Sequence, residues 1–232
     1  MKNKMMKGAH LSEKKCKEMI RLFCDDLTAT QIADVTGVSR VTVNNYLKLI
    51  RTHIAKYCEE HNPLYRLAGA FAFMPVHLSA VAVVMDEGLP EDMGWLYGVA
   101  RQDRKLYLDL LSRQEYEWLG QVPGARGYGY TDQVAEKLNR YVARVDIGNW
   151  ILNRFPGAPM SVIQESDEID LFWSMAKGRL AKFRGLNKNT AYLHVKECEF
   201  RYNYRNEDLF KILSNIIQRK PLHFSKPAAA DA

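Results

Sequence analysis

Apolar residues recur at helical spacing near the start of the chain. Between Leu11 and Cys24, Met19, Ile20, Leu22 and Phe23 form one face, and Ser12 stands at an N-cap position. The stretch from Thr28 to Leu47 reads TATQIADVTGVSRVTVNNYL. It predicts a short helix capped by Thr28 or Thr30, with Ala33 small enough to be crossed closely. A left-handed turn at Gly37 follows, then the corner residue Val38 and a second helix capped by Ser39. Val43, Leu47 and Ile50 face inward in that second helix. Arg40, Thr42, Asn44, Asn45 and Lys48 are left facing outward. The pattern continues to about Tyr57, and Glu59 to Pro63 ends it, because proline cannot continue a helix.

From Leu78 the period becomes extended. Leu78 to Met85 reads as a strand running into Asp86-Glu87-Gly88. Trp95 to Ala100 and Lys105 to Leu111 read as two more, joined by a hairpin-sized Arg101 to Arg104. Gln114 to Leu119 predicts a short helix, Pro123-Gly124 a turn, and Gly127 to Thr131 a run leading to Asp132. A helix over Val134, Leu138 and Tyr141 and a strand over Tyr141 to Val145 follow. Helical spacing returns from Ile169 to Arg205, in two patterns separated by Arg184 to Asn187. Ile169, Phe172, Ala176, Leu180 and Phe183 mark one buried stripe. Asp170, Ser174 and Lys177 lie on the next stripe, beside a core-facing Trp173. An amphipathic helix with a solvated charged side accounts for that spacing without any chemistry.

Composition narrows the classes. The chain has 232 residues, 47% of them hydrophobic, enough for a packed core and for one medium domain plus a small one. The net charge of +6 suits a polyanionic partner. Cys16, Cys24, Cys58 and Cys198 are scattered, without zinc-site spacing or a disulfide framework, so reduced thiols in a cytoplasmic protein are expected. Neither a membrane-spanning apolar run nor a signal-peptide hydrophobic region is present, and no membrane partner is expected.

The outward residues of the second helix suit a DNA groove. Arg40 and Lys48 can contact phosphate or guanine, and Asn44 and Asn45 can pair with adenine. A structural three-helix module or a protein-binding helix-turn-helix is the alternative. The order of elements after residue 62 is three consecutive strands, a helix, a strand ending at Asp132 and the later Asp170 helix. That is the order of an RNase H-like core.

Specific motifs carry a family resemblance. Ile169-Asp170-Leu171-Phe172-Trp173-Ser174-Met175-Ala176-Lys177 and Glu197-Cys198-Glu199-Phe200-Arg201-Tyr202-Asn203-Tyr204-Arg205 are similar to the I-E-x-F-W-S-x-x-K and E-x-E-F-R-x-N-x-R motifs of short DDE-type bacterial insertion-sequence transposases. Tyr130-Thr131-Asp132 resembles the tyrosine-serine/threonine-aspartate motif of that group. The resemblance spans nearly the whole chain and is weakest from Leu64 to Leu119. It implies an α/β protein, with a helix-turn-helix DNA-binding domain over 1–62, an RNase H-like mixed-sheet domain over 63–222 and a flexible tail over 223–232. It implies that Asp86, Asp132 and Asp170 are catalytic and hold two Mg²⁺ or Mn²⁺ ions for strand cleavage and transfer. Double-stranded DNA and further copies of the chain are the implied partners, without a small-molecule cofactor, in a bacterial, nucleoid-associated setting.

The chain departs from the group in three ways. Val84-Met85-Asp86-Glu87-Gly88 lacks the aromatic residue of the first motif, Asp170 stands where glutamate is usual, and no zinc ribbon precedes the helices. Asp167 and Glu168 precede Asp170 by a turn or less as substitute ligands. A relative that keeps DNA binding but has lost turnover is therefore a second expectation. For Asp86 and Asp132 an ordinary turn aspartate is the plain alternative, and for Lys177, a DNA-phosphate candidate, a surface lysine. Lys177, Arg179, Lys182, Arg184 and Lys188 form either a phosphate-binding run or a solvated face. Glu197, Arg201 and Arg205, at helical spacing, are expected to pair structurally.

Overall fold

Short polar side chains open each helix of the N-terminal region in the computed structural model, which describes residues 3, 5–63, 88–89, 93–121, 141–155, 163–183 and 185–223. The Ser12 hydroxyl accepts the Lys15 N–H and starts α1 (Glu13–Cys24). Thr28 and Gln31 form a reciprocal capping box at α2 (Ala29–Thr36), satisfying two N–H groups that the first turn leaves over. Gly37 then turns the chain at φ +66°, a conformation open to glycine at little cost. Ser39 Oγ accepts the Thr42 N–H at 3.2 Å and starts α3 (Arg40–Glu60).

The chain divides into two compact units, one made of 1–53 with 204–232 and the other of 54–203. In the first, Cys16, Met19, Ile20 and Phe23 of α1, Ile32 of α2 and Val43, Leu47 and Ile50 of α3 are buried. So are Leu213 and Ile217 of a C-terminal helix, α7 (Leu209–Arg219), which Asp208 caps. That helix packs on α1, with the Arg21 guanidinium 4.2 Å from the Phe210 ring centre. A two-residue parallel pairing joins β1 (Met6–Lys7) to β6 (Leu222–His223). His223, expected to open a flexible tail, is paired with Lys7. Leu222 is buried and its N–H donates to Met5 O at 3.0 Å. A two-residue strand has no period to read in a sequence.

The second unit is built on a four-stranded antiparallel sheet. Its strands are β2 (Leu96–Gln102), β3 (Lys105–Leu110), β4 (Tyr141–Asp146) and β5 (Ile151–Arg154), in the spatial order β3-β2-β4-β5. Asp103 and Arg104, both at positive φ, make the tight β2–β3 turn, a backbone that matches strand twist. Side chains alternate across the sheet with period two, except at a register shift where Val99 and Ala100 face Ala143 and Tyr141. Tyr97, Val99, Leu106, Leu108, Leu110, Ala143 and Val145 belong to the main core, with Ile169, Phe172, Trp173, Ala176 and Leu180 of α5 (Ile163–Leu180). Tyr192, Leu193, Val195 and Cys198 of α6 (Lys188–Asn203) complete it. Each such large side chain contributes about 1.5–3 kcal/mol on burial. Leu96, Ala100 and Tyr141 face the other way, toward Tyr116 and Leu119 of α4 (Arg113–Gln121), which starts at a Ser112–Glu115 capping box.

The protein is thus mixed α/β, with helices packed on sheet. Both edges of β2 are taken, by β3 and by β4, so β2 has no edge free for a further neighbour. The expectation of three consecutive strands placed its first at Leu78 to Met85. That segment, the run to Asp132 and the helix after it lie outside the described residues. Tyr141 sits in β4, paired with Ala100, not in a helix. β5 was not expected from the sequence, because only Ile151 and Leu152 of its four residues are apolar. Among the described residues no helix is long and apolar enough to cross a membrane.

Candidate nucleic-acid interface

The first turns of α3 are fixed from beneath. Val43, Tyr46, Leu47 and Ile50 are buried, the Tyr46 hydroxyl accepting the Leu11 N–H at 3.3 Å. Burial of that face leaves the opposite one in solvent. Arg40, Asn44, Asn45 and Lys48 are exposed, and their side chains make no hydrogen bond or ion pair with another described residue. Thr42 is half-buried, its Oγ1 2.8 Å from Ser39 Oγ, so it serves the cap as well as facing outward. The sequence reading passed over Val41, which is 72% exposed between two outward polar residues. Helical spacing carried the signal: Val41, Asn45 and Lys48 stand at i, i+4 and i+7, on one line.

The expected acidic centre is described at one position. Asp86 and Asp132 lie outside the described residues, as does the Asp167 side chain, so the distances among the three aspartates are not on view. Asp170 is on α5, with its side chain 58% exposed and ion-paired to Arg154 of β5. Such an exposed pair is worth about 0–1 kcal/mol and yields readily to a competing cation. Glu168 is instead ion-paired to Arg101, with Oε2 3.2 Å from Nε. Lys177 shares the exposed side of α5 with Asp170, its ammonium 5.3 Å from the Trp173 ring centre. Among the described residues no cluster of three potential metal ligands occurs. As a metal ligand Asp170 fits in type and accessibility, but its partners in that role lie outside the described residues.

The C-terminal motif is structural where it is described. Glu197 is buried, and its Oε1 accepts from Arg179 Nη2 at 2.6 Å and from Arg201 Nε at 2.8 Å. Arg179, expected in a basic run facing phosphate, is therefore spent inside the protein; its helical position falls on the side of α5 that meets α6. On another face of α6, Lys196 Nζ donates to Leu108 O at 2.6 Å and to Glu199 at 2.8 Å. Glu199 accepts the Leu108 N–H at 3.1 Å. One turn on, Asn203 accepts the Leu106 N–H and donates to Leu106 O, at 2.9 and 2.8 Å. Glu199 and Asn203 are about 6 Å apart along the helix, and Leu108 and Leu106 about 6.7 Å along the strand. That match lets α6 side chains complete the outer edge of β3.

Burial raises the Glu199 carboxyl, opposed by the Lys196 ammonium beside it. Burial works against the charged form of Lys196, but Glu199, Cys58 and Glu59 together outweigh it and hold Lys196 above the ordinary lysine range. Burial also pushes the Cys198 thiol up to about 12. Of the expected trio, Glu197 and Arg201 pair with each other; Arg205 is exposed and also engaged.

No protein-family model, no curated protein and no solved structure matches the chain.

Proposed function

We propose that this chain binds double-stranded DNA in a sequence-specific way, through the outer face of the first turns of α3. The observation that carries the reading is the line of solvated, unengaged side chains from Arg40 to Lys48, held on a helix whose opposite face is locked into a core. In this reading α2, the Gly37 turn and α3 are a helix-turn-helix. Arg40 and Lys48 meet phosphate or guanine, and the asparagine amides meet adenine. The positive net charge of the chain favours the same partner.

The fuller reading is an insertion-sequence transposase that binds element ends as a homo-oligomer and carries out metal-dependent strand cleavage and transfer on an RNase H-like core. Its support is the pair of C-terminal motifs together with an accessible Asp170. Asp86, Asp132 and Asp170 would hold Mg²⁺ or Mn²⁺, which when bound activates the attacking oxygen and stabilises the leaving one. Asp170 would offer its carboxylate to that site on release from Arg154, with Lys177 two turns along the same face to meet a phosphate. The pairing of β2 on both edges weighs on the other side, as does a C-terminal motif engaged in packing. A relative that keeps DNA binding and lacks turnover is the alternative.

One set of assays separates these readings. The full chain should bind duplex DNA with a salt-dependent affinity, and Lys48→Ala should reduce the log–log salt slope by about 0.9, one phosphate contact. An unchanged slope removes α3 from the phosphate backbone. Mg²⁺- or Mn²⁺-dependent strand transfer that Asp170→Asn abolishes, with binding intact, establishes the transposase. Binding without transfer leaves the DNA-binding relative.

A further inference from the structure

Val41 is the one apolar side chain on the outermost line of α3. It stands at 72% exposure, diametrically opposite the buried Val43, Leu47 and Ile50 face. One turn further on is Asn45, and Lys48 is nearly one turn beyond that, both exposed and unengaged. At that exposure most of the Val41 isopropyl group stands in water. Its β-branch is also no aid to a helix. What that group can do is fill a shape, and in a DNA major groove the apolar shape is the 5-methyl of thymine.

We propose that Val41 is a specificity-determining side chain that packs on a thymine methyl, while Asn45, one turn on, takes adenine through its amide. This inference rests on the DNA-binding reading of α3. Four residues of helix advance about 6 Å, and base pairs are spaced about 3.4 Å apart, so the two contacts fall within about two base pairs of each other. Lys48, about 10.5 Å along the helix from Val41, reaches toward the backbone from the same line. The recognised sequence therefore contains a thymine and an adenine at that short separation, on the same or on opposite strands.

The test starts from a randomised duplex pool selected on the full chain at fixed salt. In the enriched duplex each thymine is replaced in turn by deoxyuridine, which removes only the methyl, and affinity is read by fluorescence anisotropy. The wild type should lose about three- to fivefold at one thymine, the worth of one buried methyl. Val41→Ala should bind the thymine and uracil duplexes equally, and Asn45→Ala should keep the difference between them. Because Val41 is exposed, thermal melting of Val41→Ala should match the wild type. A wild type indifferent to every uracil, or a Val41→Ala variant that keeps the preference, overturns the inference and leaves DNA binding standing. If the pool yields no enriched sequence and no duplex binds, the DNA-binding reading and the inference fall together.

Discussion

In α3 the side chains of Arg40, Asn44, Asn45 and Lys48 stand in water, whereas in α6 those of Lys196, Glu197, Glu199 and Arg201 are buried. Both helices carry strings of polar residues. Over its first turns the first uses only one face for packing and keeps the rest open. The second is enclosed over the whole run Ala191 to Tyr202 and satisfies its charges internally. The difference shows that polarity alone does not locate an interface. A charged residue is available to a partner only when the protein has not already consumed it. By that criterion the first turns of α3 keep side chains available to a partner, and α6 is a fastening.

The contrast can be broken most forcefully at Glu197. Glu197→Ala leaves the Arg179 and Arg201 guanidinium groups facing each other in the interior, and urea unfolding should show a loss of about 3–5 kcal/mol. A variant as stable as the wild type would mean that α6 is not held by this carboxylate. Asn203→Ala strips the partners from Leu106 N–H and C=O at the edge of β3, at a cost of about 1–3 kcal/mol. Amide hydrogen exchange at Leu106 should quicken while that of central β2 holds; equal protection at Leu106 would show that water replaces the amide without penalty.

The smallest effect concerns thiols and leaves stability at neutral pH alone. The reactive species is the thiolate, and burial raises Cys58 and Cys198, the latter to about 12, so both are protonated and enclosed at pH 8. Half-buried Cys24 should react first with a disulfide reagent, and the buried cysteines only on unfolding. A raised thiol stabilises the fold below its unfolded pKa of about 9, and that contribution is lost as the pH climbs toward 12. Alkaline unfolding in that window is the check. Rapid labelling of Cys198 in the native protein at pH 8 would contradict the enclosure of α6.

Local rules recovered much of the fold. Ser12, Thr28, Gly37 and Ser39 occupy the caps and the turn that their chemistry suggests, and the extended runs read at Trp95, Lys105 and Tyr141 fall on β2, β3 and β4. The interior of α6 was less legible. A sequence read alone assigns lysine, glutamate and arginine to the surface, since burying them costs several kcal/mol unless each has a partner. Those partners, Leu108 and Arg179, come from distant parts of the chain and have no local signature. The pairing of Glu197 with Arg201 was legible because it lies within one helix. Val41 was overlooked for its residue type: an apolar side chain suggests core, although the spacing of Val43, Leu47 and Ile50 already puts position 41 on the outer face. Of the expected acidic centre only Asp170 is described, and its place on an exposed face of α5 follows from the spacing of Ile169, Phe172 and Ala176.

The fastening of β3 by α6 also has a timetable. Lys196 lies 88 residues after Leu108, and Asn203 lies 97 residues after Leu106. At ribosomal speeds of roughly 5–20 residues per second, the hydrogen-bonding edge of β3 waits on the order of 5–20 s for the side chains that cover it. During that interval it is a strand edge open to any extended segment nearby. Synthesis that stalls before α6 would leave an adhesive fragment, so the last fifth of the chain guards solubility during birth as well as stability afterwards.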